Sequence, residues 1–478
     1  MDRDTRKKLF WSIGGILAVV TFCLVVIVGL PWRLAFERRV VEMQARGEPV
    51  CAADLKPPAV AAEDDGGPLL EAIWKDLEAT SNLQLPAWRN AAALGPSNLP
   101  LDESQDLIRQ EDAAIRREVA EKIAPASAAK APATPVMTQR DKDKVESRTK
   151  LRQQVRGLHQ LLVDQPDLLE RFESALRRPV FHFKIEYKSP AWSIRMPHLS
   201  YCRQTPNLLV DLGLYYQAIG EREKAQRCRL LLLRSPQSTK DDFGILLSSL
   251  VHCAQTRSVC NKLAQQLPLL TEPELLALQR AAPNLKPWPI PWSQMMMNAR
   301  VMAIEAIELR GTDVEGVSTA DDWWFCEIYY HTGLRYFDGL RCLKDYQNIV
   351  EGKPIPPEDE LSFMGKRLMY TDGFFRTKNS LTPAGSSPVD SLHIGWQVEA
   401  ARIRQLQLGL ALELIKRQTG SYPADLRDIS LPQEDAEGKP MTYLVFPGGR
   451  GACLEFMDKA RAKPVHFPLG EVEEKHRE

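Results

Sequence analysis

The chain has 478 residues, 44% of them hydrophobic, and its 62 basic side chains balance its 62 acidic ones. Since no excess of positive charge would attract a polyanion, we expect no nucleic-acid partner. The length allows two or three domains, and a composition rich in leucine and alanine favours a mainly α fold.

The first predicted element is the uncharged stretch 9–32, which follows a basic tail at 1–8. As an α-helix it would extend roughly 36 Å, against about 30 Å for the hydrocarbon core of a bilayer. It exceeds the roughly 7 to 15 apolar residues of a cleaved signal peptide, and it ends at Pro31, Trp32 and Arg33 instead of at small residues. We therefore predict a retained, single-pass transmembrane helix that contacts the lipid bilayer, with the N-terminus cytoplasmic and the main body extracytoplasmic.

Proline, glycine and charge patterns divide the remaining chain into further predicted segments. In chain order these are a juxtamembrane stalk and tether (33–67), a helical segment (68–123), an Ala/Pro-rich linker (124–142), a helical-hairpin domain (143–350), an irregular loop (351–393), a helix plus small strand module (394–460) and a polar tail (461–478).

Strict alternation marks one segment of the hairpin domain. Phe181, Phe183, Ile185 and Tyr187 alternate with polar residues, which predicts an extended segment with one face on the core. His182 lies within it, and we interpret it as a solvated side chain and not as a metal ligand.

A helical hairpin is the clearest local prediction. Leu212, Gly213 and Tyr216 form the pattern L-G-x-x-Y, and Gly220 follows as a turn residue. This resembles a tetratricopeptide repeat, in which small residues let two antiparallel helices approach closely. The resemblance covers one repeat, and Arg229 stands where a bulky apolar residue is usual. It implies stacked, TPR-like helical hairpins in the middle of the chain.

The nine cysteines show no Cys-x-x-Cys pattern, and no histidine pair has zinc spacing. Cys253 and Cys260 would lie about 10 Å apart on one helix, beyond the roughly 7 Å that a disulfide spans. Any disulfide would therefore link different helices, and Cys228 with Cys253 or Cys260 is the first pair to test; the alternative is that the cysteines are buried free thiols.

Segments that could carry chemistry have a structural interpretation instead. Asp321 and Asp322 are typical of a helix N-cap, the aromatic run 322–330 is typical of a core, and the glycines at 448–451 are typical of a turn. No serine-hydrolase, zinc-protease or phosphate-loop pattern occurs. We assign no catalytic, cofactor-binding or metal-binding residue and no cofactor, and we expect that the chain is not an enzyme.

A strong helix is predicted over 396–419, and Gly420 and Pro423 end it within the sequence Gly-Ser-Tyr-Pro. A candidate strand follows at 443–446. This arrangement is similar to the region after the long helix of type II secretion pseudopilins. The N-terminus does not fit a prepilin, because Val20 stands where those proteins carry a glutamate.

Together, the basic tail, the anchor, Gly-Glu-Pro-Val at 47–50, the helical middle and the Gly-Ser-Tyr-Pro turn resemble a group of single-span bacterial membrane proteins with a helical ectodomain. The resemblance implies a mainly α architecture with an N-terminal transmembrane helix, a small α+β C-terminal module and a place in the bacterial inner membrane. It implies no activity. We expect a noncatalytic scaffold or protein-interaction module; the alternatives are an accessory component of a secretion or pilus-like assembly, or a membrane-tethered enzyme with a nonlocal active site.

Overall fold

The structure is a computed structural model that describes a large part of the chain. The described residues are 11–16, 19–20, 29–80, 101–121, 139–188, 194–241, 246–288, 291–308, 334–351, 353, 388–427, 429, 431, 433–434, 439–446, 451–458 and 463–470. The predicted aromatic run at 322–330, the aspartates at 321–322 and most of the predicted linker and loop lie outside these residues.

The described chain is mainly helical, with a small antiparallel sheet near the C-terminus. The helices are α1 (Leu30–Ala45), α2 (Gly67–Thr80), α3 (Leu101–Glu121), α4 (Gln139–Asp164), α5 (Leu168–Leu176), α6 (His198–Ala218), α7 (Arg222–Arg234), α8 (Leu246–Gln266), α9 (Glu272–Ala281), α10 (Trp292–Glu308), α11 (Leu334–Val350) and α12 (Pro388–Thr419). Short 3-10 segments are Ala52–Leu55, Ser235–Thr239, Leu267–Leu269 and Ala282–Asn284, and the strands are β1 (Thr442–Val445), β2 (Gly451–Asp458) and β3 (Lys463–Gly470).

The predicted transmembrane helix is the main correction. Within 9–32 the structure describes helical residues at 11–16 and 19–20 and the beginning of α1, which carries charges from Arg33 onward. A bilayer-spanning helix needs about 20 consecutive apolar residues, and no helix among the described residues is long and apolar enough. The predicted membrane-spanning element of the fold class and the inner-membrane localisation are therefore wrong.

The larger hydrophobic core is formed by the helices α2 through α9, by α12 and by the sheet. Trp74 of α2 donates its indole N–H to Thr205 of α6 over 2.9 Å, and the hydroxyl of Tyr215 donates to Asp112 of α3 over 2.7 Å. Both bonds are buried, so polar groups help to fix how the N-terminal helices lie against α6.

A second core lies between α1, α10 and α11, around Phe36 and Met43 of α1. The segment after α1 is tied to α10 by two polar contacts. Arg300 donates to Glu48 over 2.5 Å, and the backbone amide of Ala52 donates to Glu305 over 2.9 Å. At Glu48 and Ala52, the predicted stalk and tether therefore pack against α10.

The three strands follow the order β1, β2, β3, and both pairs are antiparallel. One face of the sheet packs on α12, where the ring of Phe467 lies against Gly409. Gln405 of α12 donates to the carbonyls of Leu454 and Val465 over 3.0 and 3.2 Å. The long helix therefore holds β2 and β3 together.

Two boundaries differ from the sequence prediction. α12 begins at Pro388, within the predicted irregular loop 351–393, and β3 lies within the predicted polar tail 461–478. Prolines at both of these places weaken the local sequence pattern of a helix or a strand. β3 forms nevertheless, because its pairing with β2 supplies the backbone hydrogen bonds.

The predicted extended segment at 181–187 has no strand, although burial alternates along it and Phe181 and Phe183 are buried. Its backbone is held by side chains instead. Asp241 accepts from the amide of Phe181 and Asp65 accepts from the amide of His182, each over 2.8 Å. The alternation therefore indicated which residues face the core, and not a sheet.

Candidate functional site

The predicted hairpin is formed by α6 and α7. Gly220 lies between them with a positive φ of 89°, which a glycine adopts at little cost. A Cβ on Gly213 would lie 3.4 Å from the Cβ of Cys228, so the two helices approach closely there. Ala225, one turn earlier in α7, is fully buried. Gly213 of the L-G-x-x-Y pattern and Ala225 of the following helix thus permit this close packing.

Arg229 is 1% exposed in the position where an apolar residue was expected. Its guanidinium donates to Gln266 of α8 over 3.1 Å and to Glu274 of α9 over 3.4 Å, and it also donates to Gln217 of α6. Burial lowers the pKa of Arg229, and the charge of Glu274 opposes that shift. One buried cation therefore links the hairpin to the next two helices.

A cleft of about 370 Å³ opens beside this hairpin. We call it the hairpin cleft, and it is lined by Pro166, Asp167, Leu169, Glu170, Tyr216 and Lys224. The first four belong to the beginning of α5 and the residues before it, whereas Tyr216 lies in α6 and Lys224 in α7. The cleft thus forms where the turn between α6 and α7 meets α5.

Tyr216 is the central group of the hairpin cleft. Burial raises the pKa of Tyr216 to about 12, so the phenol stays protonated at neutral pH and can donate a hydrogen bond. Its hydroxyl has no hydrogen-bond partner among the described residues, and the ammonium of Lys224 lies 5.5 Å from the centre of its ring. The cleft therefore contains an available donor at a largely buried position.

The charges around the hairpin cleft are almost paired. Lys224 lies 3.6 Å from Glu221, and Arg227 lies 3.1 Å from Glu170. Asp167 has no ion-pair partner among the residues that the structure describes. The cleft therefore keeps one carboxylate whose charge is not neutralised by a neighbour.

A second polar cluster lies deep in the core between α8 and α12. Glu399 lies 3.1 Å from Nε2 of His252, and it accepts from the thiol of Cys253 over 3.2 Å and from the backbone amide of Trp288 over 3.4 Å. Nδ1 of His252 lies 2.8 Å from the carbonyl of Pro236, so it donates there. His252 and Glu399 are both fully buried.

Cysteine, histidine and glutamate together suggest nucleophilic chemistry, but the environment of this cluster opposes it. Burial, together with the charge of Glu399, raises the pKa of Cys253 well above its ordinary value, so a thiolate is disfavoured. The carboxylate also contacts both partners itself and does not orient the histidine toward the thiol. The cluster connects α8, α12 and the residues around Trp288 in the core.

Sequence reasoning did not find this cluster, because Glu399 is 146 residues from Cys253. It also did not find a group of three possible metal ligands, Cys453, Glu455 and His466, on the small sheet. Of the glycines at 448–451, only Gly451 lies within the described residues, where it begins β2.

The three cysteines considered for a disulfide are free and buried. Cys253 and Cys260 lie on α8, as the helical spacing predicted, and Cys228 lies on α7. Burial raises the pKa of both Cys228 and Cys260 to about 12. The alternative of buried free thiols is therefore the one that the structure has.

No protein family model, curated protein or solved structure matches this chain.

Proposed function

We propose that this chain is a noncatalytic, helical protein-interaction scaffold, and that the hairpin cleft binds a basic side chain presented by a partner protein. The observation that carries the proposal is the hydroxyl of Tyr216, a protonated donor in the cleft without a hydrogen-bond partner among the described residues. The hydroxyl oxygen keeps some contact with solvent, so water is its partner in the free chain, and a carbonyl of a bound partner would replace that water as the acceptor.

The remaining lining gives the chemistry of the partner. Asp167 is the carboxylate without an ion-pair partner, whereas Lys224 and Arg227 lie beside Glu221 and Glu170. A lysine or arginine side chain would pair with Asp167, and a backbone carbonyl next to it would accept from the hydroxyl of Tyr216. A cleft of about 370 Å³ lies within the range of about 300 to 1,000 Å³ of ligand pockets, toward its lower end. It would therefore take one or two side chains of the partner.

The test uses two neighbouring tyrosines as a matched pair. Tyr216→Phe removes a hydroxyl that forms no hydrogen bond with any described residue, so the fold should keep its stability, whereas a partner loses one hydrogen bond. Tyr215→Phe removes a hydroxyl that donates to Asp112 over 2.7 Å, so it should lower stability without changing partner binding. One neutral hydrogen bond is worth about 0.5 to 1.5 kcal/mol, which is about a two- to tenfold change in affinity.

The partner is identified by a photo-crosslinking side chain at position 170, in the full chain within its native cells, followed by mass spectrometry of the adduct. Its binding to the purified chain is then measured for the parent, Tyr216→Phe, Asp167→Asn and Tyr215→Phe. We expect a discrete adduct, and weaker binding for the first two variants but not for the third. A partner that binds all four chains equally, or no adduct at the cleft, contradicts the proposal.

A further inference from the structure

The register of the small sheet brings three different ligating side chains to one face. Cys453 and Glu455 are two residues apart in β2, so their side chains point to the same side. Glu455 pairs directly with His466 of β3, in antiparallel register. His466 is therefore opposite Glu455 and diagonal to Cys453, which is the arrangement in which three side chains of a two-stranded ribbon can meet.

The distances show that these side chains do meet. Nδ1 of His466 lies 2.7 Å from a carboxylate oxygen of Glu455, and the sulfur of Cys453 lies 3.8 Å from the same oxygen. All three ligating atoms lie within 4.8 Å of one another. Cys453 is fully buried, whereas the side chains of His466 and Glu455 are 14% and 15% exposed. An ion could therefore reach the site from the histidine and glutamate side.

We propose that Cys453, Glu455 and His466 bind a zinc ion. Zinc forms bonds of about 2.3 Å to sulfur and about 2.0 to 2.2 Å to nitrogen or oxygen, so tetrahedral neighbours lie roughly 3.3 to 3.6 Å apart. The observed separations between the ligating atoms, 2.7 and 3.8 Å, lie on either side of that range. Side-chain rotations that move these atoms by less than about an ångström bring the separations into it. Cys453 binds as the thiolate, and its proton passes to solvent.

The donor set selects the class of metal. A thiolate and an imidazole are poor ligands for calcium and magnesium, which take oxygen donors, and they are good ligands for zinc. Three protein ligands leave one of the four tetrahedral positions to a water molecule, as in zinc sites that are open to solvent.

The scaffold holds the ligands in place before any ion binds. Arg402 of α12 donates to the backbone carbonyl of His466 over 3.0 Å, and Gln405, one turn later, bridges the carbonyls of the two ligand-bearing strands. Because these bonds fix β2 and β3 against α12, little ordering remains to be done on binding. If His466 and Glu455 formed only a cross-strand pair, no cysteine would be needed beside them. The presence of Cys453 as a third ligating side chain is what points to a metal ion.

The experiment uses the purified full chain after treatment with a chelator. Zinc affinity and stoichiometry are measured by competition with a chromogenic chelator, and cobalt(II) is added to a second sample as a spectroscopic probe of ligand type. We expect one zinc ion per chain at this site and a sulfur-to-cobalt charge-transfer band. Cys453→Ser should abolish the band, and His466→Gln should weaken zinc binding at least about tenfold.

Cys342→Ser is the matched control, because Cys342 is also buried and in no disulfide but lies in α11. It should keep both the band and the affinity. If Cys453→Ser does not fold, as judged by circular dichroism, His466→Gln and Glu455→Gln decide, since both side chains are partly exposed. Absence of the charge-transfer band in the parent chain, or zinc binding that neither His466→Gln nor Glu455→Gln weakens, overturns the proposal.

Discussion

Replacing Glu399 with alanine tests the buried cluster between α8 and α12. The carboxylate contacts His252, Cys253 and the backbone amide of Trp288, at 3.1, 3.2 and 3.4 Å. Removing the carboxylate leaves these buried polar groups without a partner at about 1 to 3 kcal/mol each, which amounts to about 3 to 5 kcal/mol in total. We expect Glu399→Ala to lower the free energy of unfolding by that amount.

Glu399→Gln separates the loss of charge from the loss of contacts. His252 donates from Nδ1 to the carbonyl of Pro236, so its neutral form presents a lone pair at Nε2. A glutamine can donate its amide to that lone pair while its oxygen accepts from Trp288 and Cys253. Every group in the cluster then has a partner, and we expect a cost of about 1 kcal/mol or less.

The assay is urea unfolding followed by tryptophan fluorescence, which Trp288 can report because it lies 5.1 Å from the ring of His252. Differences between midpoints are converted to free energies with the measured slope. Glu223→Ala is the control, since Glu223 is an exposed residue of α7, and it should stay within about 0.5 kcal/mol of the parent. A Glu399→Ala variant as stable as this control, or a glutamine variant as unstable as the alanine one, would refute the reasoning.

Three further predictions follow from close contacts and from shifted pKa values. Gly409→Ala would place a Cβ 2.5 Å from a ring carbon of Phe467, so we expect the free energy of unfolding to fall by about 1 to 2 kcal/mol. Adding Phe467→Leu should recover part of this loss, as measured in a double-mutant cycle of urea midpoints. Burial disfavours the charged form of Glu274, but hydrogen bonds from the amide and hydroxyl of Thr271 outweigh that effect and lower the pKa of Glu274. The stability that Glu274 adds should therefore be lost as pH falls below about 4.5. Glu274→Gln should make the free energy of unfolding less dependent on pH in this acid range. Cys228 should resist thiol reagents until the chain unfolds, since burial raises its pKa to about 12, and a disulfide to it in a nonreducing peptide map would contradict the structure.

Local patterns predicted the parts of the fold that depend on near neighbours. The hairpin of α6 and α7 follows from Gly213 and Gly220, whose positions in the chain decide helix approach and turn. Gly420, predicted to end the helix 396–419, does end α12 and has a positive φ of 85°. Each of these depends on a few consecutive residues, so one sequence is enough to indicate it.

Other parts could not be predicted, because they depend on residues far apart in the chain. The burial of Arg229 requires Gln266 and Glu274 from two later helices, and without them a charged residue argues against a core position. The metal-ligand group depends on the register of β2 and β3, whose partners Glu455 and His466 show no recognisable spacing. A search for zinc motifs by spacing therefore excludes such a site too readily.

Cysteine, glutamate and histidine meet twice among the described residues, and solvent access separates the two cases. In the core, Glu399 lies between His252 and Cys253 and all three are buried, so an ion would have no route in and no coordination position open to water. On the sheet, His466 and Glu455 keep part of their surface in solvent while the thiol beside them is buried. The same residue types therefore connect helices in one place and can bind a metal in the other, and a test for zinc should find Cys253→Ser silent where Cys453→Ser is not.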